Sequence, residues 1–232
     1  MSLSKAIAQV PGVKSVHGPR PQLDKENCLK YHGQLENSTA IIKAKRGKII
    51  DSAINNGLHY VENSWFMSAL AEEFVELYPE CKIVHLIRDG RDFVRSGVNR
   101  PWFNENHPLW KRWQSAIGRW NRDKWNPPSD CKTAFEKICW LWAEQQRIIE
   151  LGLSNIPEKN RSGRVYFEDL ISGKINWFLE RIGLEANNEI VMKKVNSSRK
   201  HKMQKWPEWD SELIESAKRW MGKTLTKYNY EW

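Results

Sequence analysis

The stretch Lys82-Ile-Val-His-Leu-Ile-Arg88-Asp-Gly-Arg-Asp-Phe-Val-Arg-Ser96-Gly-Val-Asn-Arg100 decides how the rest of the chain reads. Its opening residues are apolar but for Lys82 and His85, the pattern of a buried strand. A helix follows from about Gly90 to Asn99. Phe93, Val94, Gly97 and Val98 can pack on a sheet, while Asp92, Ser96 and Arg100 share a face at i,i+4 spacing. Open α/β sheets bind ligands at the carboxyl ends of their strands, where Arg88 stands. With Ser96 about two turns further on, a guanidinium and a hydroxyl make a clamp for phosphate oxygens. The same residues also read as a charged helix start with Asp89 as cap and Arg91 on the surface, and spacing alone leaves both readings open.

Working outward, apolar periodicity predicts helices over 2–9, 38–55, 65–78, 132–151 and 210–223, with strands at 13–17, 59–62 and 164–167. A further helix runs through Leu170, Phe178 and Leu179 and ends at Gly183. A Trp- and Pro-containing excursion fills 101–130. Strands alternating with helices imply an α/β fold, a parallel sheet covered by helices on both faces in three layers. No repeat or low-complexity linker interrupts the pattern, so 1–232 is expected to be a single domain.

The whole chain has 232 residues, of which 40% are hydrophobic and 28% charged, ample for a core. No apolar run is long enough to span a bilayer, and residues 2–10 lack the h-region of a signal peptide, so a cytoplasmic location is expected. A formal net charge of +9 points to a polyanionic partner, either nucleic acid or a small phosphorylated ligand. The lysines are dispersed rather than massed beside aromatics, which disfavours nucleic acid. Cys28, Cys81, Cys131 and Cys139 form no C-x-x-C pair and read as reduced thiols, and no His or Cys spacing suggests a metal. Thirteen tryptophans are the oddest feature of the composition. Trp102, Trp110, Trp113, Trp120 and Trp125 crowd the excursion, where they read as core aromatics or as walls of a ligand pocket.

The run from Arg88 to Ser96 resembles the 3'-phosphate-binding motif of sulfotransferases that use 3'-phosphoadenosine-5'-phosphosulfate (PAPS): a strand, Arg-Asp-Pro-Arg-Asp, then Ser eight positions after the first Arg. Here Gly90 takes the proline position. Val165-Tyr-Phe167-Glu-Asp-Leu170 is similar to the family's Tyr-Glu-Asp-Leu strand end near adenine, with Phe167 at the Tyr position. Tyr60-Val-Glu62-Asn-Ser64 is similar to its Glu-Lys-Thr or Glu-Lys-Ser strand end. The basic loop with Asn196, Arg199 and Lys200 resembles the late loop that closes over the 3'-phosphate. These segments follow the family's order over nearly the whole chain.

The resemblance implies a P-loop nucleotide-kinase-like sulfotransferase fold, PAPS as sulfuryl donor without a metal, and an acceptor hydroxyl or amine on a small molecule, saccharide or peptide. It implies nucleotide binding by Arg88, Ser96, Phe167, Arg199 and Lys200, a proton acceptor at His17 or Glu62, and an acceptor pocket involving the excursion from Trp102 to Trp125. One departure stands out. Ser2-Leu-Ser-Lys-Ala-Ile reads like the helix that follows the family's phosphosulfate loop, and Val13 to Pro19 like its next strand. The opening strand and loop are therefore not in this sequence, and a shortened form that binds nucleotide weakly and transfers no sulfuryl group is expected.

Two other classes compete. A nucleotide or sugar kinase needs a glycine-rich loop between a strand and a helix, whereas Ala217-Lys-Arg-Trp-Met-Gly222-Lys223-Thr224 follows a helical pattern. A basic nucleic-acid-binding protein would show salt-sensitive retention of oligonucleotides instead of affinity for adenosine 3',5'-bisphosphate.

Overall fold

The computed structural model describes residues 2–100, 102–103, 122–185, 190, 192 and 203–232. In chain order its elements are α1 (Ser2–Ile7), β1 (Val13–His17), α2 (Asp24–Tyr31), α3 (Ser38–Asn55), β2 (His59–Asn63), α4 (Ala71–Leu77), β3 (Ile83–Ile87), α5 (Gly90–Gly97), α6 (Ala134–Asn155), β4 (Arg161–Tyr166), α7 (Phe167–Ile171), α8 (Ile175–Arg181) and α9 (Ser211–Lys227). They group into two compact units, Met1–Ile87 with Ile149–Ser197, and Arg88–Ile148 with Ser198–Trp232.

The first unit is mixed α/β and holds these four strands. Pairing is parallel, as the alternation of strands and helices predicts: β1 lies beside β2, with Val13 opposite His59 and His17 opposite Asn63. Likewise β3 lies beside β4, with Ile87 opposite Tyr166. The described residues display two such two-stranded pairs rather than one continuous three-layer sheet. Both pairs line one core. Leu3 and Ile7 of α1, Val165 of β4, Leu170 of α7 and Phe178 and Leu179 of α8 are buried there, with Val13, Val61, Val84 and Leu86 packed against them. Because side chains alternate along a strand, Val61 meets this core while Tyr60 and Glu62 point the other way, and there Glu62 meets Arg46 of α3. A second, smaller core of Leu23, Ile42 and Leu70 joins α2, α3 and α4.

Where the elements depart from the sequence reading, side chains supply the reason. Residues 65–78 are not one helix but a 3-10 turn, Trp65–Met67, followed by α4. Asn27 lies against the break. Its Oδ1 accepts from Ala69 N at 2.7 Å, and its Nδ2 donates to Ser68 Oγ at 3.1 Å. The helix after β4 is likewise two pieces, α7 and α8. The long helix α6 starts at Ala134, because Thr133 and Glu136 close a reciprocal capping box: Glu136 N donates to Thr133 Oγ1, and Thr133 N to Glu136 Oε2.

In the second unit α5 and the first turns of α6 pack at close range. A Cβ at Gly90 would stand 2.7 Å from Trp142 Cδ2, and one at Gly97 would stand 2.8 Å from Ile138 Cγ2. Val94, Ile138, Leu141 and Trp142 are buried. Ala217, Met221 and Leu225 form the buried stripe of α9, whose first turn is capped by Asp210 Oδ1 accepting from Leu213 N. Gly222, Lys223 and Thr224 lie inside that helix and form no phosphate loop. Among the described residues the four cysteines are free thiols, and no helix is long and apolar enough to cross a membrane.

Candidate functional site

Arg88 is the first residue after β3, and α5 begins two positions later at Gly90. Asp89 caps that helix, its Oδ1 accepting from Arg91 N at 2.8 Å. The guanidinium of Arg88 is 41% exposed and lies 3.5 Å from Asp92 Oδ2, one helical turn further on. Asp92 is shared, since Arg95 Nη2 approaches its other oxygen at 3.7 Å. Ser96 is half-buried on α5, and nothing among the described residues hydrogen-bonds its hydroxyl. The backbone here is held from behind: Trp142 Nε1 donates to the carbonyl of Arg88 at 3.1 Å, and the same indole occupies the space that a side chain at position 90 would need. Glycine therefore stands where the resemblance led one to expect proline, whose ring would overlap Trp142.

Arg91 does not lie on the surface. Its side chain is 6% exposed, grips both oxygens of Asp89 at 2.8–3.1 Å, and stacks 4.0 Å above the Trp206 ring. Its Nη1 donates to the carbonyl of Glu231. The Asp89 cap is therefore present as one reading of this stretch expected, whereas Arg91 is buried where that reading put it on the surface.

In the first unit, the parallel register brings His17 and Glu62 to the carboxyl ends of neighbouring strands, with Val16 opposite Glu62 and His17 opposite Asn63. Their environments differ sharply. The imidazole of His17 is exposed by area, yet crowding by neighbouring atoms disfavours its charged form and lowers its pKa, against the pull of hydrogen bonding to Asn63. Glu62 is buried, and both of its oxygens are engaged: Arg46 Nε lies 3.1 and 3.3 Å away, and Tyr60 Oη donates at 2.7 Å. Burial raises the Glu62 pKa more than Arg46 and Tyr60 lower it. Desolvation also drives the Tyr60 phenol upward.

Arg46 is a functional neighbour that the sequence reading missed. Its side chain is 1% exposed, and besides Glu62 it donates to the carbonyls of Pro21 at 2.6 Å and Pro19 at 3.2 Å. It therefore fixes the loop that leaves His17. An arginine at the centre of the helix 38–55, followed by a strand that carries a glutamate, was the available signal.

Phe167 opens α7 and is half-buried against the core of Val165, Leu170 and Phe178, so part of its ring serves packing. Asn196, Arg199 and Lys200 lie outside the described residues, as do Trp110, Trp113 and Trp120. Trp102 and Trp125 are buried, Trp102 with its ring 5.4 Å from that of Phe93 on α5.

No family model matches the chain, and no curated protein does. Among solved structures, it is similar to a sulfotransferase domain from the curacin biosynthetic pathway at 14% identity and a TM-score of 0.48, over 99% of this chain and 84% of that one.

Proposed function

We propose that the entrance of α5 holds the 3'-phosphate of an adenosine 3',5'-bisphosphate-type nucleotide, and that the chain is a PAPS-dependent sulfotransferase in its chemistry. One observation carries this reading: a strand delivers a half-exposed guanidinium at Arg88, and the capped helix that follows presents the Ser96 hydroxyl. A charged donor and a neutral donor suit a phosphate, whose oxygens accept both, and the amides at the start of α5 add their partial charge. The finer fold belongs to the same proposal, with β1 to β4 as parts of a parallel sheet between helix layers.

In the reaction proposed, an acceptor oxygen or nitrogen attacks the sulfur of PAPS in line. The bond from sulfur to the 5'-phosphate oxygen breaks, and adenosine 3',5'-bisphosphate leaves. The acceptor proton passes to a base. Of the two candidates, His17 offers an exposed imidazole whose lowered pKa keeps it neutral near pH 7, whereas the Glu62 carboxylate is committed to Arg46 and Tyr60. Arg199, Lys200 and Phe167 are proposed as further nucleotide contacts.

Titration calorimetry with adenosine 3',5'-bisphosphate tests the reading. Removing Arg88 takes away the charge that faces the phosphate, so Arg88→Ala binds more than tenfold more weakly, a difference of about 1.4 kcal/mol or more. Ser96→Ala costs less, as a neutral donor should. Equal affinity in Arg88→Ala and the parent overturns the assignment.

A further inference from the structure

The loop that leaves β1 is held from below by a buried charge. Arg46 donates to the carbonyls of Pro19 and Pro21 at 3.2 and 2.6 Å, while its Nε faces both oxygens of Glu62. Enclosing a guanidinium is costly unless partners surround it, so the backbone that supplies those partners is kept in one shape. That backbone runs from Gly18 to Gln22. It stands at the carboxyl ends of β1 and β2, the side on which α/β folds take ligands.

Gly18 has a φ of 51°, in the left-handed region, and its N–H donates to the Asn63 carbonyl at 3.2 Å. Two polar side chains flank it. A Cβ at this position would stand 3.8 Å from Ser64 Oγ and 4.0 Å from Gln22 Nε2, so the missing side chain leaves a notch between them. Gly18, Gln22 and Ser64 are half-buried, and His17, next to Gly18 in the chain, is exposed. Gln22 Oε1 is buried, and nothing among the described residues donates to it. Folds seldom leave such an acceptor unmatched, and a ligand hydroxyl is a donor that would match it. Ser64 Oγ accepts from Phe66 N at 3.2 Å, which leaves its own O–H to donate.

The notch is polar but carries no net charge. Arg46 and Glu62 neutralise each other, and Tyr60 also donates to Glu62, so neither an acidic nor an ammonium-bearing group finds a counter-ion in that pair. An amide presents a donor and an acceptor side by side, which two neighbouring hydroxyls satisfy together and a flat aromatic acceptor does not. We infer that Gly18, Gln22 and Ser64 form the acceptor subsite for a neutral saccharide, with one of its hydroxyls beside the His17 imidazole. The inference rests on the proposed sulfuryl transfer and deepens it by naming the class of acceptor.

Binding is read without any nucleotide. The side-chain N–H signals of Gln22 and the ring signals of His17 are followed by NMR in isotope-labelled protein. The probes are neutral trisaccharides of glucose, galactose, mannose and N-acetylglucosamine, with naphthol and cyclohexylamine for comparison. At least one trisaccharide shifts the Gln22 and His17 signals together and saturably, while naphthol and cyclohexylamine leave Gln22 unmoved. Gln22→Leu removes both ends of the amide and weakens that saccharide roughly tenfold, read at His17. Should Gln22→Leu fail to fold, the near-isosteric Gln22→Glu keeps an acceptor, loses the donor and takes its place. Signals that no trisaccharide moves, a Gln22 signal moved as far by naphthol or cyclohexylamine, or unchanged affinity in a folded Gln22 variant overturns the inference. A chain that takes saccharide here but no adenosine 3',5'-bisphosphate keeps the subsite and fails the proposed function instead.

Discussion

Arg46 and Arg88 show two opposite uses of a guanidinium. Arg46 is sealed beneath the β1–β2 strand ends with its donors spent on Glu62, Pro19 and Pro21, whereas Arg88 stands 41% exposed with a 3.5 Å contact to Asp92. Taking a charge out of water costs several kcal/mol, and the cost is recovered only when partners surround it. A buried and fully paired arginine therefore fixes backbone, while Arg88, in contact with water, is the one proposed to meet a phosphate. Arg91 belongs with Arg46 in this respect although it lies three positions from Arg88.

The hardest test of that contrast is stability. Arg46→Met leaves the Glu62 carboxylate buried without its cation and should destabilise the first unit by about 3–5 kcal/mol, measured by urea unfolding. Adding Glu62→Leu removes the orphaned charge and should recover much of the loss. Arg88→Ala, by contrast, should change stability by no more than about 0.5 kcal/mol, as expected of a side chain in contact with water. If the two arginines cost the same, the division between scaffold and ligand-facing charge fails.

A medium effect is expected behind Arg88. Alanine at position 90 would place its Cβ within 2.7–3.0 Å of the Trp142 indole, so either α5 or the indole must move. Overpacking of this kind typically costs about 1–3 kcal/mol. Because Trp142 Nε1 also holds the Arg88 carbonyl, Gly90→Ala should weaken nucleotide binding as well as stability. Trp142→Leu in the same chain relieves the overlap and should restore stability but not binding. Unchanged stability in Gly90→Ala would show that the close approach carries no constraint.

These tests also mark where the sequence was informative. The limits of β1 and α3 and the strand–Arg88–helix unit were legible because apolar spacing and turn residues agree there, with Asn56 and Gly57 stopping α3. Helix α2 was not read, because three of its four buried residues are Asp24, Glu26 and Asn27. Their partners are remote in sequence: Lys45 for Glu26, and Ser68 for Asn27. Polar burial of this kind leaves no periodic apolar trace, and Arg46 and Arg91 escaped for the same reason. The start of α6 is a different case, since Thr133-Ala-Phe-Glu136 is a capping-box sequence visible without coordinates.

The smallest expected effect concerns His17, which completes the contrast on the side of the exposed groups. Its pKa is lowered from 6.5, chiefly because crowding around the ring disfavours the cation. The unfolded chain thus takes up a proton here more readily than the folded one. Stability from this group is present in full above pH 6.5 and is lost as pH falls through the lower folded value. His17→Gln removes the titration while keeping a polar side chain beside Asn63, so its thermal midpoint should fall less than the parent's between pH 7 and mildly acidic pH. Glu62 has the opposite sign, since a carboxyl with a raised folded pKa loses stabilising effect as pH rises through that value, so the His17 contribution is read from the difference between parent and variant at each pH. An identical pH dependence in both chains would place the imidazole in an environment no different from water, and would remove the reason for preferring His17 over Glu62 as the proton acceptor.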